Sequence, residues 1–276
     1  MDNIQIHEGM DSAEWKGIII MDTIYLGTNW KMHKTLNEGI RYTNELLEAT
    51  KSVNKKIQFF IIPPYTSLWP IKDALKGSRI MLGAQNSHWE RQGPYTGEIS
   101  PEMLAEIGID IIELGHSERR QYYNENDYDI NKKAHSAIKY GIKPLICVGE
   151  NLQQKNFGIA VQTIEAQVKV CMFNMEKEDA AKAFIAYEPV WAIGEKGIPA
   201  DPEHVALIHK TIRTVLVEKY NETGKNIPIL YGGSVNENNS MGYLKLPDVD
   251  GLFIGRAAWN MESFKKIISD VDALFK

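Results

Sequence analysis

The stretch Ala183-Phe184-Ile185-Ala186-Tyr187-Glu188-Pro189-Val190-Trp191-Ala192-Ile193-Gly194 places a carboxylate between a short apolar run and a glycine-bearing loop. The run from Ala183 to Tyr187 has the length and the β-branched and aromatic content of a buried strand. It is continuous rather than alternating in polarity, so both of its faces are covered, as in a parallel sheet with helices outside. A carboxylate at the C-terminal end of such a strand, beside Tyr187, Val190 and Trp191, sits in an apolar surround. That surround favours the protonated form and makes the ionised form a stronger base. A single glutamate at a strand end is most often just an ion-paired terminus. The rest of the chain decides between the two readings.

Similar apolar runs recur on either side: Ile24 to Gly27, Ile57 to Ile62, Ile80 to Ala84, Ile109 to Leu114, Pro144 to Val148, Phe184 to Tyr187, Ile227 to Tyr231 and Gly251 to Ile254. Between them lie segments with apolar residues three and four apart, such as Ile40, Leu46 and Leu47, or Val205, Ile208, Ile212, Val215 and Leu216. That is the helical period. Eight strand-helix units in about 250 residues fit a closed (β/α)8 barrel better than an open doubly wound sheet. The open sheet would be favoured by a G-x-G-x-x-G turn after the first strand, and Gly27-Thr28-Asn29-Trp30-Lys31 is not one. No Pro/Gly/Ser-rich linker divides the chain, so residues 23 to 276 read as one catalytic domain. Residues 1 to 22 are acidic and weakly patterned and read as an extension or an upstream start.

Composition narrows the function classes. With 276 residues, 43% hydrophobic and 24% charged, the chain is of ordinary globular type. A formal net charge of −5 lacks the electrostatic footprint of a nucleic-acid binder. The two cysteines, Cys147 and Cys171, lie in apolar runs and read as buried thiols without metal-ligand spacing, which points to a reducing, cytoplasmic compartment. No apolar run is long enough to span a bilayer, and the N-terminus carries no secretory pattern.

In a barrel of this kind the site lies at the C-terminal ends of the strands. The first strand leads into Asn29 and Lys31, two apart and therefore on one face if the segment stays extended. The fourth leads into Gly115-His116-Ser117-Glu118-Arg119-Arg120, where Ser117 and Glu118 read as the start of a short helix. A histidine at the positive end of that helix is held neutral, able to donate a hydrogen bond without carrying charge. The seventh and eighth lead into Gly232-Gly233-Ser234 and Gly255-Arg256, the loops where such barrels commonly bind phosphate. Backbone amides bared by glycine, with a serine hydroxyl, suit a dianion.

Taken together, Asn29-Trp30-Lys31-Met32, Gly83-Ala84-Gln85-Asn86, Thr96-Gly97-Glu98, Gly115-His116-Ser117-Glu118-Arg119-Arg120, Cys147-Val148-Gly149-Glu150, the stretch from Tyr187 to Gly194 and Tyr231-Gly232-Gly233-Ser234-Val235 resemble, in order, the motifs of the triosephosphate isomerase family. The resemblance covers roughly residues 23 to 276 and implies a TIM barrel. It further implies that Glu188 shuttles a proton between adjacent carbons, that His116 polarises the carbonyl, and that Lys31 stabilises the enediolate. Asn29 and Glu118 would support those groups, while Gly194, Gly233, Ser234, Gly255 and Arg256 would hold the phosphate. A Glu base with a neutral His under a closing loop is the established pattern of this family. The resemblance also implies no cofactor, no metal, and a homodimer in which the polar, aromatic segment from Gln85 to Thr96 reaches the partner.

Two loops depart from the family pattern. The lid usually continues Thr-Gly-Lys-Thr, whereas this chain has Glu195-Lys196-Gly197-Ile198-Pro199-Ala200; the last turn usually has two glycines, whereas here Gly255 precedes Arg256-Ala257-Ala258-Trp259. Pro199 removes an amide and fixes φ, altering the lid's hinge. Arg256 brings a planar cation toward the phosphate or toward Glu195. Both loops are more similar to the branch that isomerises four-carbon ketose phosphates in polyol catabolism, the L-erythrulose-1-phosphate isomerases of erythritol degradation. The alternatives are interconversion of glyceraldehyde 3-phosphate and dihydroxyacetone phosphate, and a non-catalytic sugar-phosphate sensor on the same scaffold.

Overall fold

A computed structural model describes residues 23–276 apart from Glu195 and Lys196. Its eight strands close into a parallel barrel in sequence order, β1 to β8, as expected from the recurring apolar runs. They are β1 (Ile24–Asn29), β2 (Ile57–Ile62), β3 (Met81–Ala84), β4 (Ile111–Leu114), β5 (Lys143–Val148), β6 (Phe184–Tyr187), β7 (Ile229–Tyr231) and β8 (Gly251–Phe253). β8 returns to β1 through Tyr25↔Gly251, Leu26↔Leu252 and Gly27↔Phe253, so no edge is left open.

Strand periodicity sorts the side chains into two shells. Phe60, Ile62, Ile111, Leu145, Cys147, Phe184, Ala186, Leu230 and Phe253 form one apolar cluster inside the barrel. Their neighbours one residue away, such as Ile61, Ile112, Ile146 and Ile185, belong to the larger cluster shared with the helices. Alternation by two therefore runs through strands that are apolar on both faces. The helical segments read from the sequence fall in Leu36–Thr50 and Pro202–Tyr220, and Val205, Ile208, Ile212, Val215 and Leu216 are all buried. Gly27 is required by packing: a Cβ there would lie 1.9 Å from the Phe60 ring, which stacks on Phe253 at 5.6 Å. Among the described residues no helix is long and apolar enough to cross a membrane.

Strand limits differ slightly from the sequence reading. β1 runs on to Asn29 because Thr28 and Asn29 pair with Ile61 and Ile62, whereas β4 starts at Ile111, two residues later than the apolar run. Ile109 and Asp110 lie outside β4, and Asp110 accepts the Leu82 N–H on its side chain at 2.9 Å.

Candidate active site

Inward alternation carries past the strand ends and builds the site. In β6, Phe184 and Ala186 point into the barrel, and Glu188 follows in the same phase; its backbone N–H donates to Val148 O at 2.8 Å. Two glycines make room for it. A Cβ on Gly149 would fall 1.9 Å from the Glu188 carbonyl oxygen, and one on Gly232 would fall 2.9 Å from its Cγ.

Lys31 reaches the site by a different route from the one expected. The strand ends at Asn29, and Lys31 has φ of 53°, a left-handed conformation uncommon for a residue with a Cβ. Asn29 and Lys31 are therefore joined by a turn and not by one extended face. Asn29 Oδ1 accepts the Lys31 N–H at 2.6 Å, and Gln85 Nε2 donates both to Asn29 Oδ1 at 3.1 Å and to Lys31 O at 2.7 Å. The Lys31 ammonium pairs with Glu118 Oε1 at 2.7 Å.

The short helix begins at Ser117, as the sequence suggests, and His116 just before it is the residue whose side chain caps Ser117–Tyr123. Its Nδ1 accepts the Glu118 N–H at 3.1 Å. In the neutral ring the hydrogen then sits on Nε2, which faces Glu188 Oε1 at 3.6 Å. Burial, helped by the Lys31 and Arg119 charges, pushes the imidazole down to about 3, so it is neutral throughout the physiological range. Burial pushes Glu188 the other way, to about 7, against the opposing pull of Lys31, the Ser117 N–H and Cys147. A base near neutrality beside a neutral donor is the pairing that proton transfer next to a carbonyl needs.

The residues expected to carry catalysis and phosphate binding line one cleft of about 510 Å³: Asn29, Lys31, His116, Glu118 and Glu188 together with Gly194, Gly233, Ser234, Gly255 and Arg256. On the glycine side, Ser234 Oγ donates to Ala192 O at 2.7 Å and Arg256 Nη2 donates to Gly194 O at 2.9 Å, linking both loops to the lid segment. The expected partner of Arg256, Glu195, lies outside the described residues.

Three further residues bear on the site, and the sequence reading gave them no role. Gln85 orients Asn29, as above. Glu150, fully buried, accepts from Trp191 Nε1 at 2.9 Å and from the Tyr187 hydroxyl at 3.1 Å, and lies 2.9 Å from His204 Nε2; it thereby anchors the turn Val190–Ala192 at the base of the lid. Glu113, also fully buried, points into the barrel from β4 and accepts from Asn29 Nδ2 at 2.6 Å. A charged residue inside an otherwise apolar strand was the available signal for it.

Glu113, His116 and Glu188 bring ligand atoms within 4.8 Å of one another, close enough to bracket a cation. The imidazole argues against that use. Because Nδ1 is taken up by the helix amide, Nε2 carries the hydrogen and has no lone pair to offer.

A carboxyl raised by burial, facing a neutral imidazole with a lysine nearby, suits proton transfer next to a carbonyl, which is isomerase chemistry. The chain belongs to the triosephosphate isomerase family, whose match extends over residues 24–271. Among similar proteins is one from Rhizobium etli named L-erythrulose-1-phosphate isomerase, 42% identical over 251 residues, 91% of this chain and 93% of that protein. Proteins of the same name from Rhizobium rhizogenes and Mesorhizobium japonicum are each 43% identical, covering 89% and 90% of this chain and 93% and 97% of their own lengths.

Proposed function

We propose that this protein isomerises L-erythrulose 1-phosphate to D-erythrulose 4-phosphate through an enediolate, with no cofactor, as a step in erythritol degradation in the cytoplasm. The observation that carries the chemistry is the facing pair of Glu188 and His116, 3.6 Å apart and both buried. The choice of a four-carbon substrate is supported by relatives bearing that name at 41–43% identity and by the two altered loops.

In the proposed sequence Glu188 takes the proton from C3 as electrons move onto the C2 carbonyl oxygen, to which His116 Nε2 donates. Lys31 stabilises the negative charge that forms there, and Glu118 holds the Lys31 ammonium in place. Glu188 returns the proton at C2 while the C3 hydroxyl proton passes, by way of His116 Nε2, to the oxygen on C2, leaving a hydroxyl at substrate C2 and the carbonyl at substrate C3. Fixed dipoles in a closed cleft supply the stabilisation that water would otherwise have to reorganise to give. The amides around Gly194, Gly233 and Gly255, the Ser234 hydroxyl and the Arg256 guanidinium hold the phosphate dianion.

Because the base must be ionised, kcat/KM should rise through about pH 7, the value to which burial raises Glu188, to a plateau bounded on the alkaline side by the ionisation of a further group. A profile already flat from pH 5 would remove Glu188 from the role. Turnover in deuterated water tests the reaction itself: deuterium should enter at C3 of D-erythrulose 4-phosphate, which is C2 in substrate numbering, and, through the reverse step, at C3 of recovered substrate. Binding without exchange would favour the sugar-phosphate sensor.

The working unit we propose is a homodimer. Residues 90 to 98 project as an exposed tip, and Tyr95 folds back onto the His88 ring at 4.1 Å. In a C2 pair each tip would insert beside the neighbour's Lys31 turn, with Thr96 as the supporting group, so each lost contact counts twice. Deleting residues 90 to 94 should give a poorly active monomer in analytical ultracentrifugation. A fully active dimer would refute this.

A further inference from the structure

We propose that Glu113 is a positioning residue of this site: it carries the single proton of a buried carboxyl pair with Glu188, so that the negative charge rests on Glu188, and in that neutral form it orients Asn29.

The inference starts from geometry. Glu113 is 0% exposed and Glu188 4%, and oxygens of the two lie within 4.8 Å of each other and of a His116 nitrogen. Two carboxylates at that range, away from water, do not both ionise unless cations compensate them. The titratable and charged groups facing Glu113 are Lys31 after β1, Tyr65 after β2, His116 and Glu118 after β4, Cys147 from β5 and Glu188 after β6. Lys31 is the one cation among them, and its ammonium is already paired with Glu118. The pair therefore keeps one proton.

The surroundings decide where that proton sits. Glu188 is favoured as the anion by Lys31, the Ser117 N–H and the Cys147 thiol. Glu113 receives one amide hydrogen bond, from Asn29, and a long contact from Cys147 Sγ at 3.8 Å. Ile111 and Leu145, from its own strand and the next, share the interior with it. Burial and the neighbouring Glu188 accordingly hold Glu113 well above the usual carboxylate range.

Two consequences follow. As a neutral acid, Glu113 gives Asn29 Nδ2 its acceptor without adding a second anion under a substrate dianion. Asn29 in turn accepts the Lys31 N–H, so a chain of hydrogen bonds runs from the barrel interior to the left-handed turn that presents the ammonium. Ionising Glu113 at alkaline pH would place a second negative charge beneath the base and oppose both the substrate and the enediolate.

This inference deepens the proposed function and rests on it for its kinetic arm, but its first test needs no substrate. Difference infrared spectra of the whole protein at about pH 9, where Glu188 is ionised, should contain the carbonyl stretch of a buried carboxylic acid, lost in Glu113→Gln and kept in Glu188→Gln. Absence of the band from the unaltered protein, or its loss in Glu188→Gln alone, would overturn the assignment, whatever becomes of Glu188 as base. In kinetics, Glu113→Gln should move the alkaline limb of kcat/KM upward by about one pH unit or more, since the group that ionises there is gone. Glu113→Leu, which leaves the Asn29 amide without an acceptor, should fall about tenfold below Glu113→Gln in kcat/KM. An unmoved alkaline limb, or equal activity of the Gln and Leu variants with folding verified by circular dichroism, would contradict the proposal.

Discussion

Glu188→Gln should lower kcat by about a thousandfold or more while leaving the affinity for a phosphate-bearing inhibitor nearly intact. The amide keeps the shape of the side chain in the space that Gly149 and Gly232 leave for it, and removes only the capacity to take a proton. The same substitution should change stability in a direction set by linkage. The carboxyl is raised from 4.5 to about 7 on folding, so the folded state holds its proton more tightly than the unfolded chain. Its contribution is present below pH 4.5 and is lost as pH rises through about 7, where the buried site must carry a charge. Glutamine has no such charge, so the variant should gain Tm relative to the parent by at least about 3 °C more at pH 8 than at pH 5. Calorimetry at the two pH values checks this; an equal difference at both would mean that Glu188 is not raised by burial.

The second large effect should come from His116→Gln, with kcat falling about a hundredfold and circular dichroism unchanged. A glutamine amide can donate a hydrogen bond but is not held in one direction. The imidazole is fixed by its Nδ1 bond to the Glu118 N–H, which aims Nε2–H into the cleft. Because burial holds the ring neutral down to about 3, the loss should be the same across the neutral range, with no new pH limb. A variant that turns over at the parental rate would place the electrophile elsewhere, and one whose deficit vanishes at high pH would mean that the histidine acts as an imidazolium.

Much of this arrangement is legible in the sequence because barrel chemistry is local to strand ends. Several apolar runs have a polar residue or a glycine just past them, and closure of the barrel brings those ends together, so Asn29, His116, Glu188, Ser234 and Gly255 could be gathered from one-dimensional spacing. What spacing could not supply was backbone detour and depth. The φ of 53° at Lys31 is dictated by contacts from Gln85 and Asn29, which are 54 residues and two residues away in sequence. Glu113 sits where a strand should be apolar; its partners Asn29 and Cys147 belong to two other strands, and only the closed sheet sets them side by side. Glu150 was visible as part of a motif, but its grip on Trp191 and His204 depends on how the lid turn folds over β5. The expected link between Arg256 and Glu195 falls on a residue outside the described ones. What the described residues add is an Arg256 Nη2 bond to the Gly194 carbonyl, a backbone partner that no side-chain pattern announces.

The most direct test of the central claim is a comparison of kcat/KM for L-erythrulose 1-phosphate and for glyceraldehyde 3-phosphate on the same preparation. The account predicts that the four-carbon substrate is preferred by at least about a hundredfold, equivalent to about 2.7 kcal/mol of differential transition-state binding. Preference for glyceraldehyde 3-phosphate by a similar factor would contradict the four-carbon assignment.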